Sequence, residues 1–166
     1  MHRQVLQLSA ALVLLSLLAI SFAACERKPS STSDGTPPIA QSKGDEFAVS
    51  ASVEGPLSAG SEAAFVARVE ARKGFHINAE YPVSFRPSTG SEGIRFERER
   101  YPLQESAERI PCAKEAKDAC ELRARVPFTA AAPGDHRVGG ILAFSVCSEE
   151  KCLIEKAPLE VHVTVR

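Results

Sequence analysis

The sequence predicts an all-β fold, an immunoglobulin-like antiparallel β-sandwich, and three observations predict it. Apolar residues recur at every second position in run after run from Glu46 to Arg166, the spacing at which side chains alternate across a strand. Turn residues punctuate the runs at Gly55-Pro56, Ala59-Gly60-Ser61, Lys73-Gly74, Ser88-Thr89-Gly90 and Pro133-Gly134-Asp135. The one helix-prone stretch, Ala113 to Ala119, lies between Cys112 and Cys120 and has room for at most two turns. Seven or so short strands at this spacing fit a sandwich.

In chain order, residues 1–24 carry the pattern of an export signal: Arg3, an apolar core from Val5 to Ile20, and a small-residue exit at Ala23-Ala24. That core is too short and wrongly flanked for a stable membrane span. Phe22-Ala23-Ala24-Cys25 matches a bacterial lipobox except for Phe where Leu is usual, so Cys25 is expected to be lipidated and to become the new N-terminus. Residues 25–45 are polar, proline-rich and aperiodic, the composition of a flexible tether. Twenty such residues have a root-mean-square reach of roughly 25 Å.

The domain proper is expected over residues 46–166. Phe47, Val49, Ala51 and Val53 fall on one face of a first run, and Phe65, Ala67 and Val69 on one face of a second. Ile94 and Phe96 alternate with Arg95 and Glu97, and Leu122, Ala124, Val126 and Phe128 with Glu121, Arg123 and Arg125. Val138, Gly140, Leu142, Phe144 and Val146 continue the pattern. Leu159, Val161, Val163 and Val165 close it. These apolar positions are the candidate core.

Length and composition set outer limits. At 166 residues, 44% hydrophobic and 25% charged, the chain fits one globular domain behind its leader. The formal charge is −1, and cleavage before Cys25 would remove one base, Arg3, and no acid. Such a balance implies no basic surface and argues against a nucleic-acid partner. No Ser-His-Asp grouping, paired carboxylates or phosphate loop stands out. His76, beside Phe75 and Ile77, reads as a structural residue, with acid–base or ligand chemistry as the rarer alternative; His136 and His162 read as solvated.

The chemistry therefore concentrates in cysteine. With Cys25 acylated, four cysteines remain and allow three pairings. Proximity favours Cys112–Cys120 and Cys147–Cys152. Loops this short contribute only about 2–3 kcal/mol each in the loop-entropy account. That tilts Cys147 and Cys152 towards chemistry and leaves Cys112 and Cys120 as a structural disulfide pinning a connection. Cysteines flanking a four-residue turn would face each other across a hairpin, where opposed Cβ atoms lie about 4.5–5.5 Å apart, against about 3.8 Å in a relaxed disulfide. The bond is expected to be exposed and strained, and so readily exchanged. Glu149 and Glu150 would raise a nearby thiol's pKa and Lys151 would lower it. A zinc site is disfavoured by the Cys112 to Cys120 spacing and by an oxidising compartment. A single Met, at position 1, excludes a Met-rich copper site.

Gly74-Phe75-His76-Ile77-Asn78, then Tyr81-Pro82, then Phe144-Ser145-Val146-Cys147 with Cys152 and a closing alternating strand, resemble the N-terminal periplasmic domain of DsbD, the thiol:disulfide interchange protein. The resemblance covers roughly Glu46 to Arg166. It implies an immunoglobulin-like domain whose cysteine pair takes electrons from a membrane reductase and passes them to oxidised exported proteins. Cys147 and Cys152 match the exchanging pair. Family members commonly place a proline soon after the second cysteine; here it is Pro158. Their cysteines are shielded by an aromatic loop, for which Tyr81 and Phe85 are the candidates, and the Cys112–Cys120 pair is not a family feature. A stretch of 166 residues holds neither a membrane bundle nor a thioredoxin-like domain, so the rest of the relay is expected on other chains.

The expected protein is thus a lipoprotein on the periplasmic face of the cell envelope, anchored through Cys25 to the outer membrane. It would act as a thiol–disulfide interchange component with no cofactor and no metal. Its rival is a non-catalytic binding or assembly lipoprotein in which both disulfides are structural.

Overall fold

A computed structural model describes residues 41–42, 45–88, 92–113 and 118–166. The expected signal, Cys25 and the tether up to residue 40 lie outside the described residues, as does the centre of the helix-prone stretch, residues 114–117.

Every regular element described is a strand and every pairing is antiparallel. In chain order the strands are β1 Gln41–Ser42, β2 Phe47–Glu54, β3 Glu62–Ala71, β4 His76–Ile77, β5 Ser84–Pro87, β6 Ile94–Arg95, β7 Tyr101–Pro102, β8 Glu108–Pro111, β9 Ala119–Ala130, β10 Gly134–Cys147 and β11 Cys152–Val165. One layer runs β1-β2-β3-β9, with β8 and β6 pairing successive stretches of β9; the other runs β7-β5-β10-β11. The short strand β4 links them, Ile77 pairing with Ala119 of β9 and with Val146 of β10. The result is the immunoglobulin-like antiparallel sandwich.

The alternation seen in the sequence is what fills the space between layers. Phe47, Val49, Ala51, Phe65, Ala67, Val69, Leu122, Ala124, Val126, Phe128, Val138, Leu142, Phe144, Val146, Leu159, Val161, Val163 and Val165 are all buried. Aromatic rings stitch the layers: Phe47 on β2 meets Phe144 on β10 edge-to-face at 5.2 Å, and Phe65 on β3 meets Phe85 on β5 at 5.1 Å. Such contacts combine a large apolar area with favourable ring geometry. Four of the five turn signals hold too, since Gly55, Gly60, Gly74 and Gly134 all take positive φ, where a side chain would be strained; Thr89 and Gly90 of the fifth lie outside the described residues.

Three expectations change. The strands are neither seven nor uniformly short: eleven are described, and β10 and β11 run for 14 residues each. Their length follows from one uninterrupted hairpin that spans the whole sandwich, pairing Gly134 with Val165 at one end and Cys147 with Cys152 at the other. The Ile94–Phe96 alternation yields only the two-residue β6; Phe96 leaves the strand and packs half-buried near Phe85, Tyr101 and Phe128. Within the expected tether, Gln41 and Ser42 pair with Val49 and Ala48 of β2.

Candidate functional site: a disulfide at a hairpin end

The hairpin delivers Cys147 and Cys152 to each other as the last pair of its ladder, with Cα atoms 4.0 Å apart and the sulfurs bonded. Beyond them Ser148 to Lys151 make a tight polar turn. Ser148 N–H donates to the Lys151 carbonyl at 2.8 Å, and the Ser148 hydroxyl accepts from the N–H groups of Glu150 and Lys151, both at 3.2 Å. Serine stabilises such turns by satisfying backbone donors that the strand has released.

The two sulfurs live in different surroundings. Cys147 is 5% exposed, buried on the face of β10 opposite the core residues Phe144 and Val146, whereas Cys152 is exposed at the start of β11. Both line a hollow of roughly 490 Å³ whose other walls include His76, Asn78, Glu80, Arg109 and Asp118. His76 is the cross-strand partner of Cys147 through β4. Asn78 N–H donates to the Ser145 carbonyl at 2.9 Å, and the Asn78 side-chain oxygen accepts from Glu80 N–H at the same distance, so this residue clamps the loop leaving β4 onto β10. Over the outside of the turn, Lys151 Nζ lies 5.7 Å from the centre of the Phe75 ring and 3.6 Å from a Glu46 carboxylate oxygen.

The expected aromatic shield is placed differently from the sequence-based expectation. Phe85 is fully buried in the core against Phe65, and Tyr81 borders a separate hollow with Arg86, Arg100 and Ile141. The aromatic beside the cysteine turn is Phe75. A β5 strand that reads Ser-Phe-Arg-Pro gives no hint that its phenylalanine faces inward, because four residues show too little periodicity. His136 is likewise not simply solvated: its ring packs over Gly93, and Nε2 lies 2.9 Å from the Ala132 carbonyl oxygen. His162 is exposed, as expected.

Cys112 and Cys120 form the second disulfide, with Cα atoms 4.6 Å apart. Cys112 is exposed and Cys120 half-buried, and neither lines the hollow beside Cys147. Cys112 N–H donates to the Asp118 carbonyl at 2.9 Å, closing the connection from β8 to β9 just past a bulge at Ile110 and Pro111. Next to it on β9, Glu121 accepts from Arg68 at 2.7 and 2.8 Å and from Arg123 at 2.9 Å. The Arg68 hydrogen bond, more than any other influence, holds the Glu121 carboxyl below the usual glutamate range.

One residue of the hollow was invisible to sequence reading. Arg109 is paired across the β8–β9 ladder with Leu122, which is fully buried, so its side chain sets out on the core-facing side. Nη1 donates to the Gln104 carbonyl at 2.9 Å, but Nε and Nη2 are buried and have no hydrogen-bond partner among the described residues. Gln104 in turn ties in the loop before β5, accepting from Val83 N–H at 3.0 Å and donating to the Ala79 carbonyl at 2.5 Å. The sole sequence signal is an arginine at an alternating position of a four-residue run.

No family model matches the chain, and no curated protein is similar to it in sequence. Among solved structures it is similar to the N-terminal periplasmic domain of ScsB from Proteus mirabilis, at 14% identity and a TM-score of 0.46 over 76% of this chain. The match takes in 50% of that chain.

Proposed function

We propose that this chain is an exported, lipid-anchored thiol–disulfide exchange module. It passes electrons through the Cys147–Cys152 couple, between a membrane thiol reductase and oxidised exported proteins. The reading includes a signal peptide over residues 1–24, lipidation of Cys25, and a place on the periplasmic face of the envelope. The observation that carries it is the unequal exposure of the two bonded cysteines at the end of one ladder, Cys152 exposed and Cys147 buried, which favours attack at Cys152 and departure of Cys147.

A reductase thiolate attacks the exposed Cys152 sulfur. A mixed disulfide forms there and Cys147 departs as a thiolate. The reductase's second thiolate then attacks its own bridged sulfur. Cys152 is released, the reductase is left as a disulfide, and this chain holds the dithiol. Onward transfer runs the other way: the Cys152 thiolate attacks a disulfide of an oxidised exported protein, and Cys147 attacks Cys152 in the mixed species. That restores the Cys147–Cys152 bond and leaves the exported protein with two thiols, so two electrons have moved. Cys112 and Cys120 serve as a structural bridge.

The test is trapping combined with differential alkylation. Under mild reductant Cys147 and Cys152 should be alkylated before Cys112 and Cys120, and a Cys147→Ser chain should accumulate mixed disulfides through Cys152. Equal reducibility of the two pairs, with nothing trapped, would sink the proposal and favour the assembly lipoprotein with two structural bridges. So would a reduction potential below about −300 mV for Cys147–Cys152, which is the range of structural disulfides.

A further inference from the structure

The exchange just described leaves a negative charge on a sulfur that water barely reaches. Cys147 is 5% exposed, and burying an unpaired anion is costly unless something nearby compensates it. The turn itself offers little. Glu149 and Glu150 are exposed and of the wrong sign, and Lys151 is half-exposed and already faces Glu46 at 3.6 Å. Glu80 and Asp118, which share the hollow, are exposed acids whose field solvent screens.

Arg109 is different. Its guanidinium is permanently charged, and two of its nitrogens are cut off from water and from any acceptor among the described residues. Buried cations in folded proteins are ordinarily paired, and an unpaired one is a standing cost to the fold. Arg109 lines the same hollow as Cys147 and Cys152, as do His76, Glu80 and Asp118. A cost of this kind is repaid if an anion forms nearby during function. The anion available is the Cys147 thiolate.

We propose that Arg109 is a positioning residue for this couple: its buried charge stabilises the Cys147 thiolate as leaving group and favours the dithiol state over the disulfide. The inference rests on the exchange reading above. It fixes a direction that the turn residues alone leave open, because a cation that stabilises a thiolate makes that sulfur leave faster and makes its couple more oxidising. Arg109 acts through the field, with Gln104 holding the guanidinium in place by the 2.9 Å hydrogen bond from Nη1.

The experiment needs no partner protein and so fails separately from the exchange reading. In a Cys152→Ser background the pH at which Cys147 forms its thiolate is followed by thiolate absorbance. In the otherwise native chain the Cys147–Cys152 couple is equilibrated with glutathione buffers. Arg109→Met keeps the apolar stem and removes the charge; it should raise the thiolate midpoint and shift the glutathione equilibrium about tenfold towards the disulfide, about 30 mV for two electrons. Arg109→Lys should restore most of both. A purely structural role predicts instead a lower melting temperature for both variants, with the equilibrium unmoved. The proposal is overturned if Arg109→Met leaves midpoint and equilibrium in place, or if Arg109→Lys moves them as far as Arg109→Met. Should Arg109→Met not fold, the native arginine in the Cys152→Ser background still decides. A midpoint unmoved by molar salt is expected of a buried charge, and one that moves with salt assigns the effect to the exposed turn and overturns the proposal.

Discussion

Two disulfides close loops of similar length on either side of the short β4 strand, yet they meet their surroundings in different ways. Cys147 and Cys152 terminate a continuous ladder, one residue buried and one exposed, beside a hollow lined by a half-buried arginine, two of whose nitrogens are buried. Cys112 and Cys120 do not line that hollow, and Glu121, next to Cys120 on β9, is paired with Arg68 and Arg123. The contrast teaches that loop length says little about what a disulfide is for. Exchange needs one sulfur that can be reached and another that can leave, and only an unequal environment supplies both. A staple needs neither.

The contrast can be broken most sharply at the exposed sulfur. Cys152→Ser should abolish exchange with a model disulfide, whereas the lone Cys152 thiol of Cys147→Ser should still attack it, form a mixed disulfide with release of one probe thiol, and fail only to resolve it, as read by gel shift under alkylation. If the two replacements behave alike, the proposed asymmetry is wrong. Next in size is the support beneath the hairpin. Phe144 is fully buried against Phe47, and Phe144→Ala should cost about 3–5 kcal/mol in urea unfolding through lost burial and a residual cavity. It should also speed alkylation of reduced Cys147 by loosening the strand that hides it.

Removing the other bridge should do less and should do it elsewhere. The Cys112→Ser, Cys120→Ser double replacement is expected to lower stability by about 2–3 kcal/mol while leaving the Cys147–Cys152 potential unchanged. A shift in that potential would mean that the two pairs are coupled.

The smallest effect concerns the ion pairs beside Cys120. Glu121 carries a depressed carboxyl, first because of its hydrogen bond from Arg68. Its contribution is therefore fully present above the ordinary glutamate range and is lost as pH falls through the depressed value. Arg68 is 44% exposed, so the contribution should be under about 1 kcal/mol. Melting temperatures of native and Glu121→Gln chains should differ slightly at neutral pH and converge in acid. Divergence on acidification would reverse the sign and discard the argument.

Much of the sandwich was legible because period two is a local property. Phe65, Ala67 and Val69 must share a face in any extended strand, and so must Leu122, Ala124, Val126 and Phe128; hydrophobic burial decides which face. The cysteine turn could be read for the same reason, since residues flanking a four-residue turn have few other partners. Short elements could not be read this way. The two-residue β4, which joins the layers and sets His76 across from Cys147, carries no pattern of its own. Nor could the shield, where Phe85 turned out to be core and Phe75 to stand beside the turn.

By itself, then, the sequence determined the fold class, the main core strands and the pairing of neighbouring cysteines, all of them consequences of spacing along the chain. Only the tertiary structure decided that Cys147 is buried while Cys152 is exposed, and that Arg109 stands in the same hollow. The physical reason is register. Pairing of Cys147 with His76, and of Arg109 with Leu122, depends on how distant strands align, and that alignment is set by the whole core at once.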